Sequence, residues 1–202
     1  MRRFSTFLGM SLVLVSPALR AQGTQPAALA ACLTCHGPAA EAAAQPPGPL
    51  VIPRVSGQHV EYLAKQLREY KAGKRKNDLM VPMLAKISNG QLKELAAHLA
   101  SQAPARPAAQ TSPLVERGRA LYEQGTTAVP ACVGCHLPNG VGAPSYPRLA
   151  GQRQAYVVQQ LMSFKQGTRT NDRARVMRSI AGNLSEDEMQ AIAAYLSNLQ
   201  GG

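Results

Sequence analysis

Cys32, Cys35 and His36 form one C-x-x-C-H pattern, and Cys132, Cys135 and His136 form a second. A single helical turn at this spacing presents two thiols to one side, with an imidazole directly after them. That is the attachment signature of c-type haem. The thiols form thioether bonds to the haem vinyl groups, and the histidine becomes the proximal ligand of the iron. The two patterns use every cysteine of the chain. Zinc would not explain a histidine after each pair, and the pairs stand 100 residues apart. Structural disulfides or a thioredoxin-like redox pair also compete, but the βαβ context of the latter is absent.

The elements that must position these residues are written twice. "PRVSGQHVEYLAKQLREYKAGKRKND" from 53 recurs as "PRLAGQRQAYVVQQLMSFKQGTRTND" from 147, an offset of 94. "ISNGQLKELAAHLAS" from 87 recurs as "LSEDEMQAIAAYLSN" from 184, an offset of 97. The changing offsets mean loops of unequal length inside one repeated plan. Within each copy the pattern is helical. Val60, Leu63, Leu67 and Tyr70 share one apolar face, as do Val157, Leu161 and Phe164, with Gly73 and Gly167 as stops. Ser88 with Gln91, and Ser185 with Glu188, open the last helix of each copy as capping boxes. The buried stripes are Leu92, Leu95 and Leu99, and Met189, Ile192 and Leu196. No stretch alternates as a strand would, so the expected class is all-α: two tandem domains, each wrapped around one haem.

The repeat also selects the sixth iron ligands. Copy two has no histidine after His136, so methionine must serve. Met162 and Met189 lie on helices whose packing explains them, leaving Met177 in the loop "RARVMRSIAGNLS". Sliding by 97 sets Met177 over Met80, and Ile180 over Met83, which becomes an expected core residue. His59 and His98 have Arg153 and Tyr195 as counterparts and are not expected to bind iron. Arg54 and Arg148, and Tyr62 and Tyr156, are candidates for contacts with the haem propionates or edge.

Arg2 and Arg3 ahead of "FLGMSLVLVSPAL" read as an export leader, residues 1–21, cleaved near Ala21. The expected division is then domain one over 22–101, a Pro-rich linker over 102–113, and domain two over 114–202. The formal net charge is +11, with basic residues in both halves. In an exported chain such charge suits acidic protein surfaces or anionic lipid head groups, not nucleic acid.

The paired C-x-x-C-H, the "PRLAGQ" to "RTND" run, "MRSIA" and the "LS..E...IAAYLS" ending together resemble the dihaem cytochrome c4 family. The resemblance covers nearly all of the chain beyond the leader. It implies Cys32, Cys35, His36 and Met80 at one haem, and Cys132, Cys135, His136 and Met177 at the other. It implies a periplasmic electron carrier, not an enzyme, working between membrane-bound respiratory complexes and terminal oxidases. A relay subunit of a larger dehydrogenase is the alternative, and a dihaem peroxidase a more distant one. Copy one departs from the family in its Ala/Pro-rich loop "GPAAEAAAQPPGPLVIPRVSG".

Overall fold

A computed structural model describes residues 28–43, 50–108 and 110–200. The expected leader lies outside the described residues. Helices α1 (Leu29–His36), α2 (Pro38–Ala42), α3 (Val60–Lys71), α4 (Met80–Ala85) and α5 (Asn89–Ser101) build the first domain. Helices α6 (Pro113–Gln124), α7 (Val133–His136), α8 (Gln154–Lys165), α9 (Val176–Gly182) and α10 (Glu186–Asn198) build the second. Among the described residues the only extended pairing is an isolated bridge between Ala143 and Tyr146. No described helix is long and apolar enough to cross a membrane.

Both capping boxes form. Ser88 accepts from the Gln91 N–H and Ser185 from the Glu188 N–H, and each N3 side chain reaches back to its cap. Gly73 and Gly167 take φ values of 67° and 71° directly after α3 and α8, where a side chain would strain the backbone. Lys71 and Lys165 then donate to the carbonyls of Ile87 and Leu184, tying each of these helices to the start of the last one.

Two apolar cores result. Leu63, Leu67, Leu84, Leu92, Leu95 and Leu99 fill the first, and Val157, Leu161, Phe164, Met189, Ile192 and Leu196 fill the second. Two expectations need correction. Val60 is 37% exposed, because the first turn of α3 projects beyond the core and the buried face begins at Leu63. Met83 is 46% exposed and not a core residue, although its counterpart Ile180 packs on the second core.

The halves differ most at their N-terminal helices. In the second domain α6 crosses α10 at Gly118, where an added Cβ would lie 1.9 Å from the Ala191 carbonyl oxygen. Ala191, Ala194 and Tyr195 are buried there, whereas of their counterparts on α5 Glu94 and Ala97 are exposed and His98 is half-buried. Gly118→Ala should therefore shift unfolding of the second domain to lower denaturant by about 1–3 kcal/mol, the usual cost of overpacking. Gly182→Ala, with nothing within 4 Å of the new methyl, should not. Urea titration followed by circular dichroism checks both.

Candidate haem centres

The first C-x-x-C-H lies inside α1; in the second, Cys132 caps α7 and His136 ends it. All four thiols are free, with Cys32 and Cys132 half-buried and Cys35 and Cys135 exposed. Burial pushes the Cys32 thiol up and the Cys132 thiol up to about 11, and the neighbouring cysteine adds to each. A redox-active cysteine needs the opposite shift, toward thiolate. Among the described residues no three His, Cys, Asp or Glu side chains gather to hold a metal ion. Neither the zinc reading nor the thioredoxin reading fits.

The histidines are fixed alike. His36 Nδ1 lies 3.0 Å from the Pro53 carbonyl oxygen, and His136 Nδ1 lies 3.1 Å from that of Pro147. A carbonyl only accepts, so each Nδ1 carries the proton and each Nε2 keeps its lone pair. Burial also lowers both imidazole pKa values and favours the neutral ring. A neutral imidazole with one nitrogen anchored and the other open suits an iron ligand.

Cys32 and Met80 pack against the first core, and Cys132 and Met177 against the second. Met80 opens α4, where the Asn77 Oδ1 accepts from the N–H groups of Leu79 (3.1 Å) and Met80 (2.8 Å). Met83, three residues on in the same helix, is 46% exposed. Met177, expected in a loop, lies in the first turn of α9, after a tight turn over Arg173–Arg175 in which Ala174 and Arg175 are left-handed. Asp172 spans the turn, accepting from the Arg178 N–H at 3.0 Å and from its Nε at 2.7 Å. Met162 lies against the second core from α8 and Met189 is fully buried within it, as packing residues.

The other candidates have protein partners. Arg54 donates to the carbonyls of Glu41 and Gly151, and Arg148 to that of Gln200. The Tyr62 hydroxyl accepts from Arg169, and the Tyr156 hydroxyl from Arg75, each across the domain interface. His59 contacts the Val141 carbonyl through Nε2, and His98 lies beside Gln102.

Sequence reasoning missed Glu41. In the second domain the Gly140 carbonyl accepts from the N–H groups of Leu149 and Ala150. In the first, the buried Glu41 carboxylate accepts from the counterparts, Val55 (2.6 Å) and Ser56 (3.0 Å). A side chain replaces a carbonyl, so no repeat offset points to it. Gln58 and Gln152 were visible as repeated letters, but their bonds run between the domains.

Residues 115–200 match the family model for cytochrome c. Cytochrome c4 of Azotobacter vinelandii is 42% identical over 184 residues, covering 84% of this chain and 85% of that protein. The chain belongs to the cytochrome c4 family. The crystal structure of reduced recombinant cytochrome c4 from Pseudomonas stutzeri superposes with a TM-score of 0.76 at 36% identity. That match covers 85% of this chain and 94% of the other. A "thiosulfate dehydrogenase electron acceptor" of Stutzerimonas stutzeri is 40% identical over 182 residues, 88% of this chain and 82% of that protein. Members of the cytochrome c4 family bind two haem c groups covalently, and the free thiols and anchored imidazoles fit that cofactor.

Glu41→Ala leaves two N–H groups without an acceptor. It should destabilise the first domain by about 1–3 kcal/mol for each buried donor orphaned, and Glu41→Gln should restore most of the loss. Denaturant midpoints of the two variants measure the difference.

Proposed function

We propose that this chain carries single electrons in the periplasm through two haem c groups. Cys32 and Cys35 hold the first, between His36 and Met80, and Cys132 and Cys135 hold the second, between His136 and Met177. The observation that carries this reading is the pair of neutral histidines, His136 buried and His36 half-buried, each anchored at Nδ1 by the proline carbonyl of the same repeated step. Bound haem iron supplies reversible one-electron exchange. The residues supply fixed axial ligands and an apolar surround, and thioether ligation favours the reduced state. With a histidine and a methionine both ligating each iron, no position would be left for substrate, which argues for a carrier and against a peroxidase.

The methionine helices also offer docking faces. Leu79 (52% exposed), Pro82 and Met83 form an apolar spot beside Met80, with exposed Lys74, Lys76 and Lys86 around it. In the second domain exposed Val176 stands beside Arg173 and Arg175. An apolar contact with a basic rim suits an acidic redox partner or anionic membrane surface and gives salt-sensitive encounters. A membrane-bound respiratory complex or terminal oxidase is one such partner. The relative named as a thiosulfate dehydrogenase electron acceptor favours a second reading, in which an oxidising dehydrogenase supplies the electrons.

The test is a pyridine haemochrome count on the exported protein with its ferric near-infrared spectrum. Two c-type haems, each with the methionine-to-iron band, support the proposal; one haem, or a high-spin centre, overturns it. Met177→Ala should remove half of that band, make one haem high-spin and lower its potential, and Met80→Ala should do the same to the other. A variant retaining the full band removes its methionine from the ligand set. Lys76→Glu with Lys86→Glu should slow electron transfer with an acidic partner several-fold at low salt, and the difference should shrink at high salt.

A further inference from the structure

One peptide unit in each domain is bonded on both sides. The Pro53 carbonyl accepts from His36 Nδ1 (3.0 Å), and the N–H of the same peptide, on Arg54, donates to Gln152 Oε1 (2.9 Å). In the second domain the Pro147 carbonyl faces His136 Nδ1 (3.1 Å), and the Arg148 N–H donates to Gln58 Oε1 (2.7 Å). Each glutamine belongs to the opposite domain. Both are buried. Their amides are oriented by three bonds apiece. Gln152 Nε2 donates to the Arg54 carbonyl (2.8 Å) and its Oε1 also accepts from the Arg153 N–H (2.9 Å). Gln58 does the same with the Arg148 carbonyl (2.9 Å) and the His59 N–H (3.0 Å).

We propose that each haem's reduction potential is tuned by a glutamine of the other domain, acting through the shared Pro–Arg peptide. A peptide whose N–H donates to a strong acceptor gathers electron density on its carbonyl oxygen, because hydrogen bonds in a chain polarise one another. The Pro53 oxygen then pulls harder on the His36 Nδ1 proton, leaving the imidazole richer in electrons at Nε2. A more basic ligand stabilises the oxidised metal, as hydrogen-bond partners of ligating histidines do generally. Gln152 therefore lowers the potential of the haem held by His36, and Gln58 that of the haem held by His136. Both are positioning residues, since each acts through the peptide that holds the other domain's histidine. The inference rests on the axial histidines proposed above.

Spectroelectrochemistry of the dihaem protein tests it, with each haem assigned through its axial histidine and methionine resonances in the NMR spectrum. Gln152→Ala should shift the first haem about threefold toward reduction at fixed applied potential, ~30 mV at 59 mV per tenfold for one electron, leaving the second unmoved. Gln58→Ala should do the reverse. Gln152→Glu keeps an acceptor for the Arg54 N–H and strengthens it, so the first haem should move the opposite way. Equal shifts of both haems, a shift confined to the mutated domain's own haem, a rise in both Gln152 variants, or no shift at all would each overturn the proposal. Unmutated protein lacking the His–Met resonances would overturn the axial assignment itself, before any variant is compared.

Discussion

The hydrogen bond from a histidine Nδ1 to a proline carbonyl stands where three demands on this molecule meet. The imidazole must be neutral, must present Nε2, and must not rotate. Burial meets the first, and the carbonyl meets the other two, since it accepts a proton and cannot give one. Proline suits the position because its nitrogen has no hydrogen to place. The arginine after it still has an N–H, and in both domains that N–H goes to the partner domain. The step that holds the histidine is thus also the step that joins the two halves.

That junction has the logic of a symmetric dimer made within one chain. In an isologous contact residue i meets j and j meets i, and the repeat offset of 94 makes the pairs visible. Gln58 bonds Arg148 as Gln152 bonds Arg54, and Arg75 bonds Tyr156 as Arg169 bonds Tyr62. The buried Arg75 guanidinium is also held by Gln66 and Gln160 and lies over the Tyr70 ring at 4.6 Å. Burial opposes its charge, but the phenolic oxygens of Tyr156, Tyr62 and Tyr70 more than offset this and push its pKa up. Arg169 repeats the arrangement over Phe164 at 4.4 Å. The two apolar cores share no residue, and the bonds named here that join the domains run between polar groups.

The helices and their caps were legible in the sequence because they follow local rules of spacing. Ser88 and Ser185 needed only a glutamine or glutamate three residues on, and the Leu92 and Met189 stripes only their period. The repeat did more, choosing Met80 and Met177, and the structure sets both against the cores that hold Cys32 and Cys132. What failed has a common cause. Periodicity identifies an apolar face but not where along it burial starts, so Val60 was misplaced. Offset alignment assumes that counterparts share an environment, so Met83 was given the burial of Ile180. The bonds of Tyr62, Tyr156 and Arg54 to the other domain were not foreseen, because no local rule describes them. Glu41 replaces a backbone carbonyl and has no counterpart in sequence at all.

Where the repeats diverge, the two methionine loops become different objects. Ahead of Met177 three extra residues, Arg173 to Arg175, make a turn that forces Ala174 and Arg175 into left-handed backbone. Such a conformation costs roughly 1–3 kcal/mol for residues with side chains, so something must hold it. The Asp172 carboxylate does so, nearly buried and joined to both the backbone and side chain of Arg178. Those bonds keep its pKa low against the opposing effect of burial. The first domain has Val81 at the position of Arg178, so no such pair can form. It needs none, because its shorter loop is capped by the neutral, exposed amide of Asn77 without positive φ. The second domain therefore carries an ion-paired, arginine-rich turn ahead of its methionine, and the first a loop with an apolar surface and lysines around it. Duplication supplied two equal sites, and three inserted residues are enough to give them unequal surroundings.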